Sequence, residues 1–228
     1  MSISHADRRS SGARVAAYSA LRQEIIAAEL EPGRQLSENE LAGRLGVSRT
    51  PVREALVRLR DDRLVEIVPQ LGTFVTRISD SAVEDAQFVR EALECAAVRL
   101  AAERAGRDDG KALEAMVAHQ RVARDAQDYA RFSTLDDEFH AALSDIAGRR
   151  VAWDLAQRAK AHLDRVRRLS FPQPRYLAEM VAEHQLVVRA VRRGDPDAAE
   201  DALRHHLRMV LSALPALRDE HPDYFEAA

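Results

Sequence analysis

Four ionisable residues in the C-terminal half of the chain have the types and helical neighbours of a buried metal site. Asp136 and His140 are four apart and share a helical face with Phe132, Phe139 and Leu143. His184 is flanked at helical spacing by Met180, Val187 and Val188, and His206 by Leu203 and Val210. The adjacent His205 has Asp201 and Arg208 at those offsets, so it belongs in solvent. Buried ionisable groups are costly unless paired or coordinated. Three imidazoles and one carboxylate on inward stripes of three helices suit Zn²⁺, Ni²⁺ or Mn²⁺ if they converge. Separate core histidines, each hydrogen-bonded to a neighbour, fit the same spacing, and the sequence leaves both readings open.

A second group, Ser48, Arg49, Thr50 and Arg53, has the chemistry of nucleic-acid recognition. Arg49 and Arg53 are four apart and share a helical face. A guanidinium matches the two acceptors of guanine, while hydroxyls and helix-start N–H groups suit phosphate oxygens. Solubilising charges on an amphipathic helix are the plainer alternative. Arg58 and Arg60, further along, are expected to meet solvent or backbone.

The elements that must position these residues are legible from periodicity. Ala13 to Glu29 carries Val15, Tyr18, Leu21, Ile25 and Ile26 on one face, and Glu31-Pro32-Gly33 breaks it. Ser37-Glu38-Asn39-Glu40 reads as a capping box opening a short helix that buries Leu41, Ala42 and Leu45. Gly46 supplies a left-handed stop. Ser48 is placed to cap the next helix, with Pro51 in its first turn and Val52, Ala55, Leu56 and Leu59 inward. Two β-prone pieces, 64–68 and 73–76, flank a Pro69-Gln70-Leu71-Gly72 turn. Two helices around a Gly-containing turn, followed by a hairpin, describe a winged helix-turn-helix, with Gly72 close to DNA at the wing tip. From Ser79 onward six helices are expected, at 81–105, 109–126, 129–147, 150–170, 175–193 and 196–217. They are punctuated by Gly106, Asp128, Gly148, Pro172 with Pro174, and Gly194-Asp195-Pro196.

The expected fold is therefore mostly α: an N-terminal winged helix-turn-helix with a small β wing over 13–78, then an all-α antiparallel helical bundle over 79–220. A disordered polar arm is expected over 1–12. The net charge of −3 divides unevenly. Residues 1–78 hold 12 Arg and 10 acidic residues, giving +2, and the remainder holds 22 basic and 27 acidic, giving −5. Any anion-binding surface thus lies in the N-terminal part. The single Cys95 excludes an internal disulfide and fits a reducing cytoplasm. No apolar run approaches the roughly 20 residues of a membrane span, and the N-terminus lacks the apolar stretch of a secretory signal.

Leu36-Ser37-Glu38-Asn39-Glu40-Leu41-Ala42 through Gly46-Val47-Ser48-Arg49-Thr50-Pro51-Val52-Arg53-Glu54-Ala55-Leu56, then Leu64-Val65, Gly72 and Val75, resembles the GntR family of bacterial regulators. The resemblance implies that Arg49, Thr50, Arg53 and Gly72 contact operator DNA and that Ser48 meets a phosphate. Two positions depart from it. Arg63 stands where Gly is usual, at a cost of about 1 kcal/mol if that position needs positive φ. Asn39 stands where some members place a DNA-contacting Arg. Arg90-x-x-Leu93-Glu94, Asp136-x-x-Phe139-His140, Glu183-His184 and His206-Leu207 resemble the FCD effector-binding domain of the FadR-like subfamily. That resemblance implies a divalent ion on Asp136, His140, His184 and His206 beneath a pocket for a small carboxylate effector, with Arg90 the candidate to pair with it. It also implies a homodimer on an inverted-repeat operator. A metalloenzyme with an appended DNA module is the alternative, but no further Glu, Ser or Cys stands at a catalytic spacing. An architectural DNA-binding protein would need a basic surface that the net charge does not offer.

Overall fold

In the computed structural model, which describes residues 5–173 and 175–227, the chain divides into two compact units. One comprises residues 1–80 with 218–228, the other residues 81–217.

The first unit is built on α1 (His5–Ile26), α2 (Glu38–Leu45) and α3 (Arg49–Asp61). Leu21 and Ile25 of α1 are fully buried, α1 packs along α3, and Val52, Ala55, Leu56 and Leu59 of α3 are buried. Val15, expected inward, is exposed at 52%. The helix begins at His5, so positions 5–12 of the expected arm are helical, while 1–4 lie outside the described residues. Adding turns to a helix already nucleated by buried residues costs little, which outweighs the polar composition there.

Ser37 accepts from the Glu40 amide, but Glu40 turns its carboxylate to Arg34 instead of back to the cap. Gly46 takes φ 66° and ends α2. The end of α3 is a Schellman closure, in which the Arg63 amide donates to the Arg60 carbonyl and the Leu64 amide to that of Leu59. Arg63 sits there at φ 60°, so the position does require the left-handed region.

The wing pairs β2 (Val65–Val68) with β3 (Gly72–Val75), antiparallel, with Val65 opposite Val75. A third strand, β1 (Gln35–Leu36), pairs with the other edge of β3 and was not anticipated, being only two residues long. The C-terminal residues return to this unit. The Ile78 amide donates to Tyr224 and the Glu226 amide to Ile78, and Phe225 is buried at 2% exposure. Two adjacent aromatics, Tyr224 and Phe225, near a polar terminus carry no periodicity, so this return is invisible in the sequence.

The second unit is helical throughout: α4 (Asp80–Arg104), α5 (Arg107–Asp125), α6 (Tyr129–Ile146), α7 (Arg150–Ala159), α8 (Ala161–Ser170), α9 (Tyr176–Arg193) and α10 (Pro196–Glu220). The outer residues of α4 and α10 fall in the first unit. Helix α5 packs against both α6 and α9. One expected helix, 150–170, is two. Lys160 separates α7 from α8, and its buried ammonium lies 2.5 Å from Asp164 Oδ1 and 2.9 Å from Asp137 Oδ1. Neither Gly nor Pro marks the break; the buried cation and its two carboxylates accompany it. Pro174, read as punctuation, lies outside the described residues.

Candidate metal centre and nucleic-acid interface

Asp136, His140, His184 and His206 converge. Each offers one ligand atom, and these atoms lie within 4.8 Å of one another, all four side chains being buried. Helix α6 presents Asp136 and His140 one turn apart, α9 presents His184 and α10 presents His206. His184 Nε2 and His206 Nε2 are 3.1 Å apart; His184 Nε2 lies 3.6 Å from Asp136 Oδ1, and His140 Nε2 lies 3.8 Å from Asp136 Oδ2.

The outward nitrogens of His184 and His206 each have a hydrogen-bond partner, while that of His140 has a carboxylate at contact distance without a well-angled hydrogen bond. His184 Nδ1 is 2.7 Å from Gln120 Oε1, His206 Nδ1 is 3.0 Å from Glu183 Oε2, and His140 Nδ1 is 2.7 Å from Glu94 Oε2. The Gln120 amide is itself oriented, because its Nε2 donates to the Leu135 carbonyl. Acceptors at Nδ1 of His184 and His206 favour ring protons on the outward nitrogens, which turns those two Nε2 lone pairs inward. Ligands about 2.1 Å from a shared ion stand roughly 3.0–3.4 Å apart, close to the separation of His184 and His206. Neither oxygen of Asp136 receives a well-angled hydrogen bond among the described residues, although Arg167 Nη2 forms an ion pair at 2.5 Å with Oδ2. Three imidazole nitrogens and a carboxylate oxygen drawn together in this way suit a divalent ion in their donor chemistry.

The protonation states suit that use. Burial drives the His184 imidazole down to about 3 and His206 well below its ordinary value, so both are neutral at neutral pH. Burial would raise the Asp136 carboxyl, but Arg167 and the facing imidazoles hold it well below the usual carboxylate range. Glu94, also buried, is held at about 2 by Arg90 and His140. Glu183 goes the other way, to about 7, through burial and the neighbouring Glu179 charge.

Arg90 is not the surface partner of Glu94 that its i, i+4 spacing allowed. The pair is buried, with Nε 2.7 Å from Glu94 Oε1, and Arg90 Nη2 stands 3.5 Å from His140 Nε2. Arg90, Arg167, Tyr176, Met180 and His206 line a cavity beside the centre that is closed to about 10 Å³, one water's space. His205 is 78% exposed, as its neighbours predict. Gln120 and Arg167 escaped the sequence reading. Gln120 had a signal, a polar residue on the Leu113–Val117 stripe of α5, whereas Arg167 is one of several arginines on mixed faces of α8.

At the N-terminal unit, Ser48 is the N-cap of α3 by backbone position, but its hydroxyl makes no capping bond. Ser48, Arg49, Thr50 and Arg53 are all exposed at the start of α3. Arg58 lies over the Tyr18 ring at 3.9 Å and so belongs to the α1–α3 packing. Gly72 has φ 124°, and a Cβ there would lie 2.8 Å from Gln35 Nε2, which donates to the Leu71 carbonyl. This glycine therefore has a structural reason as well as a position at the wing tip.

Residues 13–75 match the model for bacterial regulatory proteins of the gntR family, and residues 85–209 match the FCD domain. The chain belongs to the GntR family. A regulator from Streptomyces ambofaciens, described as an HTH-type transcriptional regulator in an unstable DNA locus, is 41% identical over 91% of this chain and 87% of its own length. The HTH-type transcriptional repressor RspR of Escherichia coli is 36% identical over 91% of both. Among solved structures, E. coli McbR/YncC superposes with TM-score 0.77 at 21% identity, covering 90% of this chain and 98% of that one, a likeness of fold. This GntR protein is thus a DNA-binding transcription regulator, and its relatives are regulators rather than enzymes. No described helix is long and apolar enough to cross a membrane.

Proposed function

We propose that this protein is a dimeric repressor that binds a palindromic operator through residues 13–78 and senses a small carboxylate through residues 79–220, with a divalent ion on Asp136, His140, His184 and His206. The observation that carries the sensing half is the inward-facing Nε2 set, with His184 tied at Nδ1 by Gln120 and His206 by Glu183. Zn²⁺, Ni²⁺ and Mn²⁺ all suit three imidazoles and a carboxylate. The ion would supply a Lewis-acidic anchor for the effector's carboxylate. Arg90, beside His140 and on the wall of the cavity, supplies a second positive contact, and that cavity must widen to admit anything larger than water. Repression is supported by the printed names of two relatives, RspR and a probable D-xylose utilization operon repressor from Paenarthrobacter nicotinovorans, 30% identical over 83% of both chains. Two recognition helices on half-sites about one helical turn apart require two copies.

Elemental analysis of purified protein tests the ligand set. Wild type should carry stoichiometric metal, and His184→Ala with His206→Ala should carry none. Stoichiometric metal in the double variant refutes the assignment.

A further inference from the structure

The two arginines that open α3 share one carboxylate. Arg53 Nε and Nη2 lie 2.9 and 2.8 Å from Glu38 Oε1 and Oε2, and Arg49 Nη2 lies 3.1 Å from the same Oε2. Glu38 is the first residue of α2, so this contact spans the turn between the two helices. Its side chain is 26% exposed, against 59% and 61% for the arginines. The Arg53 hydrogen bonds, with the one from Arg49, hold the Glu38 carboxyl at about 2, so it is ionised at neutral pH.

An acidic residue here is unfavourable for generic DNA affinity, because it cancels positive charge where the partner is a polyanion. Its geometry gives it a use. Arg53 engages Glu38 through the side-on edge of the guanidinium, Nε with Nη2, and leaves the end-on edge, Nη1 with Nη2, unobstructed by that contact. The end-on edge is the one that meets guanine O6 and N7 as a fork. Arg49 spends one Nη2 hydrogen. A long exposed arginine otherwise loses rotamer freedom when it docks, and a braced one has already lost it.

We infer that Glu38 is a specificity-determining positioning residue, a shared brace that fixes Arg49 and Arg53 as a pair, with the end-on edge of Arg53 presented to base edges. The inference rests on the reading-face assignment of those two arginines. Glu38 also lies in the first turn of α2, where an acid favours the helix dipole. That role alone would affect stability and leave sequence preference untouched.

The experiment uses the full chain. A duplex is first enriched from a pool with a randomised core. Affinity is then measured by fluorescence anisotropy, at one salt concentration, for that duplex and for a shuffled duplex of equal length. Glu38→Gln should lower the preference for the enriched duplex about tenfold, the worth of one bidentate base contact, while the shuffled duplex binds as well or better. Glu38→Asp, which keeps the charge but withdraws the carboxylate by one methylene, should give part of the same loss and serves if the first variant folds poorly. On an Arg49→Ala, Arg53→Ala background, Glu38→Gln should change the preference no further. A preference retained in both Glu38 variants overturns the brace. A further loss on the double-arginine background also overturns it, since Glu38 then acts on DNA itself or through the fold. If the double-arginine variant keeps full preference, the reading-face assignment fails and the brace with it.

Discussion

His184 Nε2 and His206 Nε2 face each other at 3.1 Å while Gln120 and Glu183 occupy the opposite nitrogens of the two rings. With the ring protons on the two Nδ1 atoms, that arrangement sets two lone pairs facing each other inside the bundle.

The Gln120 tie should matter nearly as much as the ligand it orients. Gln120→Leu removes the acceptor at His184 Nδ1 while keeping a buried side chain of similar size. Metal affinity should fall about 10–100-fold, read by competition with a chromogenic chelator. Unchanged affinity would mean that His184 needs no orienting partner.

The metal-free protein should lose stability as pH falls from about 6.5. His184 and His206 are depressed in the folded state, so their stabilisation is present above the unfolded value of 6.5 and is lost towards acid. Glu183, raised to about 7, opposes them, because the folded state takes up its proton first. Near pH 5.5 the unfolded chain then holds two of these protons and the folded chain one. The net slope from these three groups corresponds to about one proton, roughly 1 kcal/mol per pH unit. Urea titrations at pH 6 and pH 5 measure it, and Glu183→Gln should roughly double it.

Arg63→Gly should stabilise the N-terminal unit by about 1 kcal/mol, since Arg63 holds φ 60° in the closure of α3. Thermal denaturation followed by circular dichroism checks this. A fall in stability would show that the Arg63 side chain contributes more than its backbone strain costs.

Phe225→Ala should destabilise the same unit by about 3 kcal/mol, the cost of emptying a buried phenylalanine site, because Phe225 is buried there at 2% exposure. Trp153, the only tryptophan, lies in the other unit and reports on it separately. The amide signal should move in urea while the tryptophan transition stays in place.

The sequence by itself determined the elements and their inward faces. Val52, Ala55, Leu56 and Leu59 form the buried stripe of α3, and Gly46 sits at φ 66°, because apolar spacing and left-handed stops are local properties. It also put Asp136, His140, His184 and His206 on inward faces, since four-residue spacing against apolar neighbours has one helical solution. Tertiary structure decided what those faces meet. Only packing brings three helices to a common point, ties two of the rings to Gln120 and Glu183, and buries the Arg90–Glu94 pair. The break at Lys160, the two-residue strand β1, the return of Phe225 and the hold of Glu38 on Arg49 and Arg53 were settled in the same way. Each is a contact between residues far apart in the chain, or a break accompanied by such contacts. Periodicity along the chain records which way a side chain points; it carries no record of the partner that the fold brings to it.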